Sequence, residues 1–435
     1  MNAPSLRRWL WPKSLAGKAA VVFIGAFLLL IAVWFVALIT TQRRLDQTIA
    51  TAKSLGYKSS WEELAGPMVP DSENAAAALL EAGLLASETE EMLIAEHTKR
   101  NTKTPLAGSE AVSDAAFKLS QNPIYEQALY DADVRRNYRT TMRREDAART
   151  FGNLQSAIAH FTSVSILEGE YAKRLIREDK VEESVRRSLR WLRITRKFAA
   201  NEPWIMASYI AAGARYEPAN ALNLALRGRQ FTRKLHDEIE RESGKHDDAA
   251  AAAVKAINGL RLAELDMLAE SSAYHRFGIL KPLANIDAAH VHRAINDYLA
   301  GMSDPHSQAV ERLKSEHPLK GFPTAPRSRV LALNLDKTLT HARRKFDEST
   351  ALMRCLRVLN AMSANGEFKG NVDSLGLPPE CLVDPFDGQP LRMRQTLEGP
   401  IVYSIGGDLT DDGGELDLDK KGHDVGLGPL PGTNK

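Results

Sequence analysis

Ala19 to Ile39 reads AAVVFIGAFLLLIAVWFVALI, twenty-one residues without a charged or strongly polar side chain. At a rise of about 1.5 Å per residue, a helix of this length covers roughly 30 Å, the hydrocarbon thickness of a bilayer, with every backbone amide bonded within the segment. The stretch is therefore expected to be a membrane-spanning helix. A cleaved signal peptide is the competing reading, because the run is N-terminal and follows basic residues. The run exceeds the usual ~7–15-residue apolar core, and Ile39-Thr40-Thr41-Gln42-Arg43-Arg44 has no A-x-A-like cleavage site, which favours the anchor. A buried core helix would show a polar face.

The flanks of this run set the expected orientation. Residues 1–18 form a short lead-in with Trp9 and Trp11 suited to the interface, and its Arg7, Arg8, Lys13 and Lys18 outnumber Arg43 and Arg44 on the far side. The positive-inside rule then puts the N-terminus in the cytoplasm and the bulk of the chain in a bacterial periplasm or its equivalent. Cys355 and Cys381 could be oxidised there, but two cysteines are no disulfide framework and are read as two buried thiols. A net charge of +2 gives no reason to expect a polyanionic partner, so nucleic acid is not favoured.

Beyond the anchor, residues 40–70 read as a juxtamembrane helix ending in a linker at Gly66-Pro67-Met68-Val69-Pro70. Residues 71–329 read as an α-helical domain. Asp71-Ser72-Glu73-Asn74 caps a helix over Ala75–Leu85, and residues 87–122 are polar and uneven. Leu154, Ile158, Phe161 and Val164, and then Val185, Leu189 and Leu192, recur at helical spacing, with a turn at Arg177-Glu178-Asp179-Lys180. This looks like one tetratricopeptide-type hairpin, but without a second copy at the ~34-residue period a repeat array requires, a generic antiparallel helix pair is the better reading. Residues 330–421 read as a separate unit: a long amphipathic helix over Val330–Met362, then strands within Leu391–Ile405 with Gly399-Pro400 as the turn. Residues 422–435 read as a disordered tail. The fold class is mainly α, with a small C-terminal α+β unit.

Several clusters invite chemistry. Val330 to Thr340 imitates the first motif of haloacid-dehalogenase-like phosphatases, but Asn334 stands where the nucleophilic aspartate belongs, and an amide cannot form an aspartyl phosphate. His290 and His292 are two apart, which on a helix points them away from each other, so they read as surface or capping histidines. Arg135, Arg136, Arg139, Arg143 and Arg144, and Arg186, Arg187, Arg190, Arg193, Arg196 and Lys197, form two basic helical stretches that read as solvated faces, with an acidic partner or acidic lipid as the alternative. Asp408, Asp411, Asp412, Glu415, Asp417 and Asp419 lie in a glycine-bearing loop, and carboxylates at such short spacing suit calcium, although an acidic solvated loop has the same composition.

Leu382-Val383-Asp384-Pro385-Phe386-Asp387-Gly388-Gln389-Pro390-Leu391-Arg392-Met393-Arg394, followed by Tyr403-Ser404-Ile405-Gly406-Gly407-Asp408 and Asp411-Asp412-Gly413-Gly414, resembles the C-terminal part of the type II secretion major pseudopilin. In that family a D-P-[WF]-G-x-P-[LY]-x-Y run leads through a short sheet to an S-[LI]-G-x-D-G loop that binds calcium. The likeness covers about 75 residues, roughly Phe346 to Lys420. It implies Asp408 and Asp411 as calcium ligands, joined by Asp412 or Glu415 and the Ser404 or Ile405 carbonyl. Gly17-Lys18-Ala19-Ala20-Val21 lacks the glutamate of a prepilin-peptidase site. The whole layout, including Pro70 to Ala76 (P-D-x-E-N-A-A), resembles a planctomycete-type group of bacterial membrane-anchored proteins, which implies an architecture and no activity.

With no G-x-S-x-G, P-loop, H-E-x-x-H or C-x-x-C motif, the expected function is that of a non-enzymatic, single-pass envelope protein with a protein partner. The alternatives are an accessory of a type II secretion system and an enzyme with its site in the helical domain.

Overall fold

The computed structural model describes residues 14–67, 69–99, 110–138, 147–202, 204–227, 231–270, 278–315, 326–365, 375–416 and 424–429. Trp9, Trp11, Arg139, Arg143, Arg144, Gly366, Asp417, Asp419 and the residues from Leu430 onward lie outside this set.

The apolar run lies within helix α1, Leu15–Ser54, started by the Ser14 hydroxyl accepting from the Gly17 amide. No part of its most apolar window is buried against protein, and by length and composition it is able to cross a membrane. The body that follows is mainly helical. It comprises α2 (Trp61–Ala65), α3 (Ala75–Lys99), α4 (Glu110–Ser120), α5 (Pro123–Val134), α6 (Ala147–Arg177), α7 (Val181–Asn201) and α8 (Ile205–Gly213). It continues with α9 (Tyr216–Leu226), α10 (Arg233–Gly244), α11 (Ala249–Ala252), α12 (Val254–Glu270), α13 (Lys281–Ala300), α14 (His306–Ser315) and α15 (Pro326–Asn365). A three-stranded antiparallel sheet, β1 (Arg392–Thr396), β2 (Gly399–Ser404) and β3 (Val425–Leu427), closes the chain in the order β1-β2-β3.

Residues 40–65 are fastened to the body rather than linking it loosely. One face of α1 (Thr41, Gln42, Leu45, Thr48, Ile49, Ala52) is covered where it packs on α13. Asn285 donates to Gln42 Oε1 at 3.2 Å and Asn296 donates to the Thr48 carbonyl at 3.1 Å. The chain then folds back so that Tyr57 lies under the Arg261 guanidinium, 4.8 Å from the ring centre, and edge-on to His292. Trp61 donates to Asp266 at 2.8 Å and packs on Trp204.

α7 has two buried faces, which its alternation of arginines with apolar residues obscures. Trp191, Ile194 and Phe198 join a core with α3 to α6, in which Phe161 stacks on Phe198 at 4.2 Å. Val185, Leu189 and Leu192 join a second core with α9, α10, α15 and the sheet. Arg186 is solvated, but Arg187, Arg190 and Arg193 between these faces are covered. Arg187, 9 % exposed at its side chain, bonds Glu126 at 2.5 Å and Glu168 at 2.7 Å. Arg193 holds Asp133 through two nitrogens, and Lys197 donates to the Ala132, Asp133 and Arg135 carbonyls, capping the end of α5. Charges read as an outer surface thus clamp α5 and α6 onto α7.

The boundary at residue 330 falls inside α15, and the core crosses it. Leu352, Leu356 and Leu359 pack with Leu189, Leu222, Ile239 and Val402, so helix and sheet share the apolar interior of the helical body. Val425–Leu427, in the segment expected to be a tail, forms β3, with Leu427 opposite Val402. The hairpin turn is Leu397-Glu398 instead of Gly399-Pro400. Thr396 Oγ1 donates to the Gly399 carbonyl and accepts from the Glu398 amide, closing the turn and placing Gly399 at φ 129°, a conformation that favours glycine. His290 and His292 are buried, because α13 is packed between α1, α12 and α15.

Candidate functional site

Arg343, Asp347, Thr350, Arg354 and Arg357 recur at spacings of four and three, so α15 carries a polar stripe along one side. Arg343, Asp347, Thr350 and Arg357 are nonetheless buried, because other elements close over that stripe. The α10–α11 turn brings Lys245, Asp247 and Asp248; the α13–α14 turn brings Met302 to Pro305; and the turn at Val383–Gly388 brings Asp384 and Pro385. Together they enclose a cleft of about 640 Å³. A second cavity of about 300 Å³, lined by apolar residues including Val358, Leu382, Leu391, Met393 and Val402, shares Val383 and Gly388 with it as lining residues.

The cleft's ions are arranged in pairs with long-range partners. Asp247 bridges two arginines, accepting from Arg354 Nε and Arg357 Nη1, each at 2.5 Å. Arg357 also holds Glu240 at 2.6 Å, and Arg354 donates to the Val383 carbonyl at 2.6 Å. Arg343 donates to Asp347 at 2.7 Å and to the Gly301 and Asp304 carbonyls, tying the α13–α14 turn to α15. His306 Nδ1 lies 2.8 Å from the same Asp347 oxygen.

The D-P-F turn forms one wall. Asp384 is fully buried and accepts four hydrogen bonds: from the Phe386 amide, the Ser404 hydroxyl, the Ile405 amide and Arg392 Nη1, at 2.7–3.0 Å. Burial raises its pKa against those four donors. The Pro385 and Phe386 carbonyls accept from the His306 and Ser307 amides at the start of α14. Gly388, at φ 76°, sits where a Cβ would come within 2.8 Å of Pro305. The residues quoted above for the resemblance thus lock the sheet to the helical body.

Arginines and carboxylates already paired in this way are structural. What remains at the mouth is acidic. Asp248 and Glu380 are exposed and have no ion-pair partner among the described residues. The arrangement can receive a cationic group at the rim and an apolar group in the adjoining cavity.

The acidic loop lies elsewhere and is organised differently. Asp408, Asp411, Asp412 and Glu415 are all exposed. Asp408 accepts from the Thr410 amide, and Asp411 accepts from the Gly413 amide and the Tyr403 hydroxyl, 3.9 Å from Arg392. The residue that shapes the loop is Asp424, 2 % exposed, which accepts from the Asp412 and Gly414 amides. Among the described residues, no three carboxylates, imidazoles or thiols gather where they could hold a metal ion. The loop's backbone is held by a protein carboxylate.

His292 and the basic residues of α7 were visible in the sequence, but the cleft was not. Its signal is the polar stripe at helical spacing on α15, opposite the apolar stripe. Cys355 and Cys381 are both buried free thiols, raised in pKa by burial, Cys381 to about 12. No family model, curated protein or solved structure matches the chain.

Proposed function

We propose that this chain is a non-enzymatic, single-pass membrane protein whose helical body acts as a scaffold for a protein partner, with the N-terminus cytoplasmic and the body outside. The partner segment occupies the cleft against α15 in extended form, with a basic side chain at Asp248 and Glu380 and an apolar side chain in the cavity between α15 and the sheet. The observation that carries this reading is the adjacency of those two cavities, which share Val383 and Gly388 in their walls, with exposed acids on the rim of the larger one and its inner charges already paired.

The test is photo-crosslinking in intact membranes from a reactive group at Asp248, with exposed Arg186 on α7 as the control position. The reading expects a discrete adduct at Asp248 that disappears when Glu380 is changed to Lys. Equal adducts from both positions, or an adduct indifferent to Glu380→Lys, would remove it.

A second reading is favoured by one feature: the order long helix, D-P-F turn, antiparallel hairpin and aspartate-rich loop supports a secretion accessory related to pseudopilins. Deleting the gene would then change the set of secreted proteins. An unchanged set counts against it.

A further inference from the structure

α13 runs beside α1 in the same direction. Asn285 meets Thr41 and Gln42, and Asn296 meets Thr48. Lys281 begins α13 four residues before Asn285, about 6 Å farther toward the apolar half of α1. That places Lys281 and the 3-10 turn Gly278–Leu280 level with Ala37 and Leu38, both half-buried, within the last turn of the Ala19–Ile39 run. No spacer separates the apolar segment from the body. Whatever surrounds Ile39 also surrounds this corner.

Within about 10 Å of that level along α1 stand three exposed cations. Arg43 and Arg44 follow the apolar run by about one turn of α1, and Lys281 projects from α13. None has an ion-pair partner among the described residues. By contrast, Arg187 and Arg193 of α7 and Arg354 and Arg357 of the cleft are bonded to carboxylates. Unpaired cations at the end of a spanning helix sit where lipid phosphates lie, and each contributes attraction to an anionic surface.

We propose that the Gly278–Lys281 corner is a second membrane contact, seated in the headgroup layer, where Lys281, Arg43 and Arg44 bind the phosphates of anionic phospholipid. The inference rests on α1 spanning a bilayer. It adds that the body lies against the lipid surface in a fixed attitude, and does not hang free on a tether.

The experiment uses the full chain in bilayer nanodiscs, with one nitroxide label at a time on Gly25→Cys, Gly278→Cys or Gly213→Cys. At each of these glycines an added Cβ meets nothing within 4 Å. Cys355 and Cys381 are buried away from the reagent. Collision with lipid-soluble oxygen and with a water-soluble nickel chelate reads depth. The expected order is Gly25 embedded, Gly278 at headgroup depth and shielded from nickel, and Gly213 open to nickel. A Gly278 label as open to nickel as Gly213, with Gly25 still embedded, overturns the inference alone. A water-exposed Gly25 overturns the anchor reading itself.

The phosphate contact has its own readout. The ratio of phosphatidylglycerol to phosphatidylcholine that co-purifies from mixed bilayers should fall in the combined Arg43→Glu, Arg44→Glu, Lys281→Glu variant, by roughly fivefold per reversed residue as an upper bound. An unchanged ratio overturns it. Since these side chains are exposed, the variant keeps its fold, which helix content by circular dichroism verifies.

Discussion

α1 and α15 are both forty residues long, and they solve opposite problems. α1 presents Phe23, Ile24, Phe27, Leu29 and Leu30 to its surroundings, all more than half exposed, with no protein over them. α15 buries Leu352, Met353, Leu356, Val358 and Leu359 together with polar Arg343, Asp347, Ser349, Arg357 and Asn360. An apolar surface left open suits lipid, whereas a polar stripe covered by protein needs bonded partners, and α15 finds them up to 134 residues away, where Ser349 accepts from Arg215. Apolar residues therefore mark the outside of one helix and polar residues mark the inside of the other.

The largest effect that sharpens this contrast is a cavity. Phe346→Ala in α15 should cost about 3–5 kcal/mol of unfolding free energy, while Phe27→Ala in α1 should leave the body's denaturant midpoint unchanged. Equal losses at the two positions would mean that α1 is a core helix after all.

Next comes the ionic clamp. Arg187→Met should cost about 3 kcal/mol, because Glu168, 4 % exposed, would keep its charge without that cation. A neutral result would return the α7 arginines to the status of a solvated face.

The joint between α1 and the body is sensitive to acid. Burial, with the positive charge of Arg261 beside it, lowers the His292 pKa to about 4 from its ordinary 6.5. A depressed folded-state pKa gives stability that is complete above 6.5 and lost as pH falls through about 4. Thermal unfolding followed across that window should show a loss on the order of 2 kcal/mol that is flattened in His292→Gln. A His292→Gln profile identical to that of the natural chain would show that the histidine is not the titrating group.

The smallest effect concerns the acidic loop. Asp424→Ala should cost about 1–2 kcal/mol, because it strands the Asp412 and Gly414 amides, and Asp408→Ala should stay within about 0.5 kcal/mol. Millimolar calcium that raises the melting temperature, with the rise lost in Asp408→Ala, would support the calcium reading of that loop.

The helical class, the apolar run and the turn at 177–180 were legible because they depend on periodicity and local composition. So was a pair of strands near 391–405. The cleft was not, because its pairs join Asp247 to Arg354 and Arg357, residues more than a hundred positions apart, and no local pattern encodes that closure. The carboxylates that attracted notice, Asp408 to Glu415, are adjacent in sequence and exposed, whereas the load in each C-terminal turn falls on isolated, buried Asp384 and Asp424. Residues 40–65 read as a juxtamembrane helix without a docking face, because Tyr57 and Trp61 reveal their role only when Arg261, His292 and Asp266 come beside them. β3 was not legible because three residues within the Gly/Pro-rich stretch that begins at Gly422 carry too little pattern to announce a strand.

The fixed joint between anchor and body is tested most directly by a pulsed-dipolar distance measurement between nitroxide labels at Phe35→Cys, on the exposed side of α1, and Gly213→Cys, at the end of α8, in full-length protein in nanodiscs. A docked α1 gives one narrow distance distribution, the same at neutral pH in every bilayer used. A broad distribution, of the kind a free tether produces, would contradict the joint and remove the basis for a second lipid contact.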